Sequence, residues 1–396
     1  MNASRTDQSE IASTTSKVAI LCKGDDAYGV ASVLRLYAEC FPEIKFVCLG
    51  QGAMFEWLRR NGNQVYLVEG LASFTATSSA STLARLPFAI LRARKDAAQL
   101  DQLFQQLGIS IVHAHWLPQH IISGHLRKYG YYSVWHIHVN MNPRRLFGLG
   151  MKMNNLLARW GADAIIPVSD FIASNWQEAG VCTYTIRNVA KVLFNEPNDL
   201  PPNPIRCVIA GRLTEDKGHH LAIQAVINAR TSGYDVRLDI FGGPLEGNPY
   251  YDQLRTMVEQ SGQSEFVCFK DFCADLRLYH QSYNIGLQCR ISPEPCSMWV
   301  CETLVDGLPL VAADSGGTSE LVDDGITGLL FRSGDAEDLT SKLIMLASDP
   351  SMTNRMRRQA YLLGQNHFTV PRFVTEALKV YANLLSKNIS GVAESR

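Results

Sequence analysis

Short apolar runs alternate with amphipathic segments along almost the whole chain, and this alternation limits the fold more than any other feature. The first run, "KVAILC" (Lys17 to Cys22), is too short for a core helix and apolar throughout. It reads as a strand buried on both faces. The loop "KGDDAYG" and the helical pattern "VASVLRLYAECF" follow. "KFVCLG", "VYLVEG", "ISIVHAHW", "YYSVWHIHVN" and "ADAIIPVSD" repeat the strand theme, with helical patterns between them. Strands joined by crossover helices pair in parallel and are covered on both sides. At "NEPNDLPPNPI" four prolines (Pro197, Pro201, Pro202, Pro204) interrupt the pattern with linker chemistry. The alternation then restarts with "RCVIAG", "VRLDIFGG", "EFVCFKDF", "NIGLQC" and "PLVAAD". The expected class is therefore α/β, with two Rossmann-like doubly wound domains. A polar, disordered lead is expected over 1–16, a first domain over 17–195, a second over 205–368 and a terminal helix over 369–388.

Composition narrows the function classes. A chain of 396 residues with 46% hydrophobic side chains can build two cores. Its net charge of −1 gives no field for nucleic acid. Charge is unevenly spread: residues 51–160 hold 12 Lys and Arg against 4 Asp and Glu, while residues 301–350 hold 2 against 10. The basic stretch can face an anionic membrane or be an ordinary solvated surface. The segments "NPRRLFGLGMKMNNLLARW" and "LARLPFAILRARK" pose the same choice between a membrane-facing and a core-packed amphipathic helix. No apolar run reaches the ~18 residues of a membrane span, and the polar start lacks the apolar segment of a secretory leader. Ten cysteines without a C-x-x-C read as reduced, buried residues. A cytoplasmic protein is expected, with peripheral contact to the inner face of a membrane as an open reading.

The unusual residues fall at the carboxyl ends of the expected strands, where open parallel sheets bind ligands. "SPEPCSMWVCETLVDG" carries Glu294 and Glu302. Pro295 keeps Glu294 out of the helix, which is expected to run from Pro295 or Cys296 to Asp306, stopped by Gly307 and Pro309. Glu302 would then lie about two turns in. The amides of Ser297 and Met298 would be free to meet an anion such as a diphosphate. Taken alone, the pair could equally be a surface glutamate and a helix-start glutamate favoured by the macrodipole. "AGRLTEDKGHH" adds Arg212 and Lys217 in or beside a strand-to-helix loop, where two cations can hold a diphosphate and neutralise its charge as it leaves. His219 and His220 are expected to be exposed.

With "AGRLTEDKG", "FGG", the E-x7-E of "EPCSMWVCE" and "DGLPLVAADSGGTSELVDDGITGLLF" in order, the second half resembles the nucleotide-binding domain of glycosyltransferase family 4, retaining enzymes of the GT-B fold. "IVHAHW", "VWHIHV" and "ADAIIPVSDFIASNW" extend the resemblance over roughly residues 17–390. It implies two domains facing across a cleft, with donor on the second, acceptor on the first and the last helix crossing back. It implies that Glu302 binds ribose hydroxyls, Glu294 holds a donor-sugar hydroxyl, and Arg212 and Lys217 clamp the diphosphate. Backbone amides around Ser297 and Met298 would meet phosphate and sugar, His138 would project toward the sugar, and Gly29 would let the first loop approach the diphosphate. Cys296-Ser297 replaces the family's usual Phe-Gly, and a single Gly29 replaces a glycine pair. The implied activity is a metal-independent transfer from a nucleotide-diphosphate sugar to a glycan or lipid-linked acceptor, as in cell-surface polysaccharide or glycolipid synthesis, with no cofactor.

Two other readings remain. One is a non-catalytic sugar-nucleotide or glycan-binding relative on the same fold. The other is a metallohydrolase built on His113-x-His115 and His136-x-His138, since residues two apart on a strand share a face.

Overall fold

The computed structural model describes residues 5–26, 28–71, 80–140, 149–201, 203–243, 245–274 and 276–393. The chain divides into two compact units, Met1–Ile186 with Val374–Arg396, and Arg187–Phe373.

In the first unit the strands are β1 (Val18–Cys22), β2 (Lys45–Cys48), β3 (Gln64–Leu67), β4 (Ile111–Ala114), β5 (Tyr132–Ile137), β6 (Ala164–Pro167) and β7 (Cys182–Thr183). They form one parallel sheet in the order β3-β2-β1-β4-β5-β6-β7. Every residue of β1, β2, β4 and β6 is buried, which is why their sequences read as short runs that are apolar but for Lys45 and His113. Helix α1 (Arg5–Thr15) precedes β1, followed in the sequence by α2 (Tyr28–Cys40), α3 (Ala53–Arg60), α4 (Ala80–Leu107), α5 (Leu117–Leu126), α6 (Leu149–Gly161) and the short α7 (Asp170–Ala173). Ala97, Leu100 and Phe104 of α4 pack into the core with Val112 of β4 and Ile121 and Ile122 of α5.

The second unit repeats the plan. Its strands are β8 (Ile205–Ala210), β9 (Val236–Phe241), β10 (Val267–Lys270), β11 (Ile285–Gln288), β12 (Leu310–Asp314) and β13 (Gly328–Arg332). They pair in parallel in the order β10-β9-β8-β11-β12-β13. Its helices are α8 (His219–Thr231), α9 (Pro249–Gln260), α10 (Met298–Val305), α11 (Ala336–Ser348) and α12 (Pro350–His367), and α13 (Val370–Ala393) returns the chain to the first unit. In both sheets the order reverses beside the unit's first strand, between β1 and β4 and between β8 and β11. Loops leaving two such strands diverge to opposite sides and open a crevice at their carboxyl ends.

Three expectations about the chain's organisation change. The lead expected to be disordered forms α1 over Arg5–Thr15, and its last residue, Thr15, is buried. Lys45 Nζ donates to Ser16 O at 2.5 Å, tying the end of that segment to β2. The proline-rich stretch is not a free linker, because buried Arg357 of α12 donates to Asn198 O, and Asn284 Nδ2 to Pro201 O. The boundary therefore falls after Ile186, earlier than 195, and Val189 and Ala190 are buried in the second unit. Of the amphipathic segment 142–160, residues 142–148 lie outside the described residues; the rest is in α6, where Asn155 and Ala158 are buried and Lys152, Leu156, Arg159 and Trp160 are exposed. In α4, Phe88 and Leu91 are exposed beside exposed Arg92, Arg94 and Lys95, while Ala93 and Ala97 turn inward.

Candidate functional site

The crevice of the second unit is assembled from the loops after β8 and β11. Gly218, at φ +70°, closes a 3-10 turn over Glu215–Lys217, and a Cβ there would stand 2.0 Å from Cys289 O. Only glycine lets the β8 loop lie on the end of β11, and this contact brings Lys217 to Glu294. Lys217 Nζ is 3.4 Å from Glu294 Oε2. Arg290 Nη1 donates to the same oxygen at 2.7 Å, and Arg290 Nε lies 3.6 Å from Asp216 Oδ2. Asp216 is held below the usual carboxylate range by its hydrogen bond from Thr214 and by the charges of Arg290, Lys217 and Arg212, which outweigh its partial burial. Arg212 itself is exposed. Lys217, His219, Gln288, Arg290, Glu294 and Ser297 line a cavity of about 40 Å³.

Glu294 is fixed by its backbone. It forms an isolated parallel bridge with Gly316, and Gly317 N–H donates to Glu294 O at 2.7 Å. The extended bias of a residue before proline suits that bridge. Helix α10 starts at Met298, later than expected, because Ser297 is its N-cap and its Oγ accepts from Val300 N–H. Cys301 N–H bonds back to Ser297 O. The helix mouth is thus built at Ser297 and Met298, with the positive end of the dipole beside Lys217 and Arg290. Two cations and a helix N-terminus around a polar cavity form a site for an anion.

The later start also moves Glu302 to the second turn of α10, one turn from the mouth instead of two. It sits half-buried near a second charged group: Arg277 Nη2 pairs with buried Asp306 at 2.5 Å, and His280 Nδ1 lies 2.8 Å from Asp306 Oδ2. Burial pushes the Glu302 carboxyl up to about 7; nearby Arg277 opposes the shift and Asp306 adds to it. Glu294 and Glu302 therefore belong to different charge clusters and are not an acid/base pair.

Gly29 and His138 lie in the first unit. Gly29 is not in the loop after β1, because α2 begins at Tyr28 and Gly29 is its exposed second residue. The loop's tight turn falls to Gly24 at φ +97°, where a Cβ would stand 1.8 Å from Gly50 O. Asp26 closes this turn by accepting from Lys23 N–H, Gly24 N–H and the Trp116 indole N–H.

His138 follows β5. With His113, His115 and His136 it forms a ladder on one sheet face, as two-residue spacing on paired strands requires. The rings are close to parallel: His113 on His115 at 4.7 Å and 13°, His115 on His138 at 5.1 Å and 14°, His136 on His138 at 4.2 Å and 25°. The ring nitrogens of His113, His115 and His136 lie within 4.8 Å of one another. That trio, with His115 and His136 tilted by 31° to one another, is the arrangement on which the metallohydrolase reading rests. Burial first, then neighbouring histidines, keeps His113 and His138 neutral, pushed down to about 3.

Two residues of the second-unit cavity differ from the sequence reading or were not anticipated by it. Arg290 belongs to no recognised run and lies four residues before Glu294. His219, expected to be exposed, is fully buried, and neither ring nitrogen has a hydrogen-bond partner among the described residues. Burial pushes it down to about 4. Its spacing held the signal: His219, Ala222, Ile223 and Val226 occupy one helical face, all buried. His220 is half-buried, with Nδ1 2.7 Å from Tyr250 Oη.

Comparison with known proteins agrees with this architecture. The family model for glycosyl transferases group 1 matches residues 193–363, and the model for glycosyltransferase family 4 matches residues 53–188. A putative colanic acid biosynthesis glycosyltransferase, WcaL of Salmonella typhimurium, is 25% identical over 260 residues, covering 61% of this chain and 62% of the relative. The GtfA subunit of a UDP-N-acetylglucosamine–peptide N-acetylglucosaminyltransferase from Streptococcus gordonii is 28% identical over 177 residues, covering 43% of this chain and 34% of the relative. The chain thus spans about a third to three fifths of the length of these curated relatives. Among solved structures, Anabaena HepE in complex with UDP superposes with a TM-score of 0.77 at 19% identity, covering 93% of this chain and all of that one. That likeness is one of fold, GT-B. With both halves matched in sequence and the whole architecture matched in structure, the chain belongs to the family 4 type of GT-B glycosyltransferases.

Proposed function

We propose that the protein is a retaining glycosyltransferase that moves a sugar from a nucleotide-diphosphate sugar to a glycan or lipid-linked acceptor in the synthesis of a surface polysaccharide or glycolipid. One observation carries the reading: Lys217 and Arg290 converge on Glu294 at the mouth of α10. In this reading the diphosphate takes the place between the cations and the amides around Ser297 and Met298, with Arg212 reaching it from the β8 loop. Lys217, Arg290 and Arg212 stabilise the charge that grows on the leaving diphosphate. Glu294, held from two sides, accepts from a donor-sugar hydroxyl, and Glu302 accepts from the ribose. His138 serves the sugar from the first unit.

Support for a nucleotide-sugar donor comes from relatives. The HepE structures hold UDP, UDP with glucose, or UDP-glucose, and a mycobacterial relative is named as GDP-mannose-dependent. These names differ in base and sugar, so the donor is to be found by a thermal-shift screen of UDP, GDP and ADP and their sugars, since a ligand of the folded state raises its melting temperature. The cations of this site can neutralise the leaving diphosphate without a metal, and the proposal expects turnover to survive EDTA. Transfer that stops with EDTA and returns with a divalent ion would remove that part. Tight donor binding without turnover on any glycan or lipid-linked acceptor would favour the binding-module reading. No helix among the described residues is long and apolar enough to cross a membrane. Peripheral contact at the inner membrane face through the basic surface of α4 is part of the proposal and predicts co-sedimentation with anionic vesicles.

A further inference from the structure

The ladder in the first unit contains one hydrogen bond between histidines: His115 Nδ1 lies 2.9 Å from His138 Nε2. One of these nitrogens donates and the other accepts, and burial decides which. The other ring nitrogen of His115, Nε2, is buried and has no hydrogen-bond partner among the described residues. If His115 carried its hydrogen there, an N–H would be buried without an acceptor. If the hydrogen is on Nδ1, only a lone pair is left unpaired. A buried N–H without a partner is the rarer and costlier defect. His115 therefore donates through Nδ1, and His138 Nε2 accepts. A neutral imidazole carries one hydrogen, and burial keeps His138 neutral. Its hydrogen must then be on Nδ1.

We infer that His115 is a positioning residue that fixes His138 in the Nδ1–H tautomer, so that His138 meets its ligand as a hydrogen-bond donor and not as a base. The nearly coplanar, edge-to-edge setting of the two rings and the grip of Gln119 hold this arrangement. Gln119 Oε1 accepts from the backbone N–H of both His115 and Trp116. His113 repeats the pattern next door: its Nδ1 is 2.8 Å from Tyr381 Oη, and its Nε2 is buried without a hydrogen-bond partner among the described residues. A neutral Nδ1–H suits an oxygen acceptor on the donor, a hydroxyl or a phosphate oxygen. Abstraction of a proton from the acceptor would then fall to another group. This part rests on the proposed function; the tautomer does not.

The test is nitrogen NMR of 15N-histidine-labelled, full-length protein near pH 7.5. The expected spectrum shows His138 with hydrogen on Nδ1 and a bare Nε2. In His115→Ala the signal moves toward the Nε2–H form favoured by a histidine side chain in water. His115→Asn places an amide N–H close to where Nδ1 was and restores the Nδ1–H form of His138. In transfer assays, His115→Ala is expected to lower kcat about tenfold with donor KM nearly unchanged, and His115→Asn to recover most of it. A folded wild-type protein with His138 in the Nε2–H form overturns the inference. So does His115→Asn that folds but matches His115→Ala in both tautomer and rate. An Nδ1–H His138 in a protein that transfers from no donor would leave the tautomer standing and remove the transferase reading.

Discussion

Arg290 decides how Glu294 can act. Two cations on one carboxylate oxygen hold it in place and aim it, so replacing either cation has a separate consequence. Lys217→Ala leaves the 2.7 Å Arg290 bond intact. It should fold normally while transfer falls about 10²- to 10³-fold, the usual loss for a charge-stabilising group. Arg290→Ala leaves Glu294, only 9% exposed, with one cation at 3.4 Å. It should cost about 1–3 kcal/mol of stability as well as activity, read from denaturant melts. Glu302 gives a pH signature. Its carboxyl, at about 7 in the fold against an ordinary 4.5, holds its proton more tightly folded than unfolded. Its contribution to stability is complete below pH 4.5 and is lost as pH rises through 7. Glu302→Gln should therefore melt higher than the parent at pH 8, by on the order of 1–3 kcal/mol, with the gain fading toward pH 5. The same variant should bind donor more weakly at pH 8, where the parent presents a carboxylate to the ribose. Unchanged donor affinity at pH 8 would remove Glu302 from the donor site.

At the scale of elements, α10 and the loops feeding it show what linear pattern reveals and what it hides. Most strands were legible, because a parallel strand buried on both faces leaves a mostly apolar run; the two-residue β7 is too short to leave one, and β13, whose apolar part is only Leu329–Phe331, was not read as a strand. The placement of Glu294 and Lys217 was legible because they stand next to strand ends and a helix start. The start of α10 was misplaced: Pro295 looks like a first helical residue, but the bridge from Glu294 to Gly316 keeps the chain extended until Ser297 caps the helix. Arg290 was invisible because its partners are Glu294 and Asp216, the latter brought there by the close approach of Gly218. That is a contact of fold, not of spacing. Two predictions belong here. Ser297→Ala should lose about 1 kcal/mol through the lost cap and weaken donor binding. Gly218→Ala should be more severe than either cation variant, since its Cβ would overlap Cys289 O. It should lower both melting temperature and transfer. A Gly218→Ala protein with parental activity would show that the β8 loop need not touch β11.

At the scale of the whole molecule, each unit has its own sheet and crevice, and the two tasks of the proposed reaction are divided between them. Amide exchange can locate the donor directly. Addition of donor should slow exchange around Lys217–His219 and Ser297–Glu302, while exchange within the first-unit core, such as Leu100 and Phe104, stays the same. Protection confined to the first unit would reverse the assignment. The α13 return has a consequence in time. Tyr381, fully buried, bonds His113 in the first unit, yet residues 187–373, the whole second unit, lie between that unit's two parts in the sequence. A ribosome adding about 5–20 residues per second therefore completes the second unit first. For roughly 10–40 s, the face that holds the histidine ladder waits without its cover. During that interval it is the part of the newborn chain most in need of a chaperone, and a slow codon placed before α13 would lengthen the exposure.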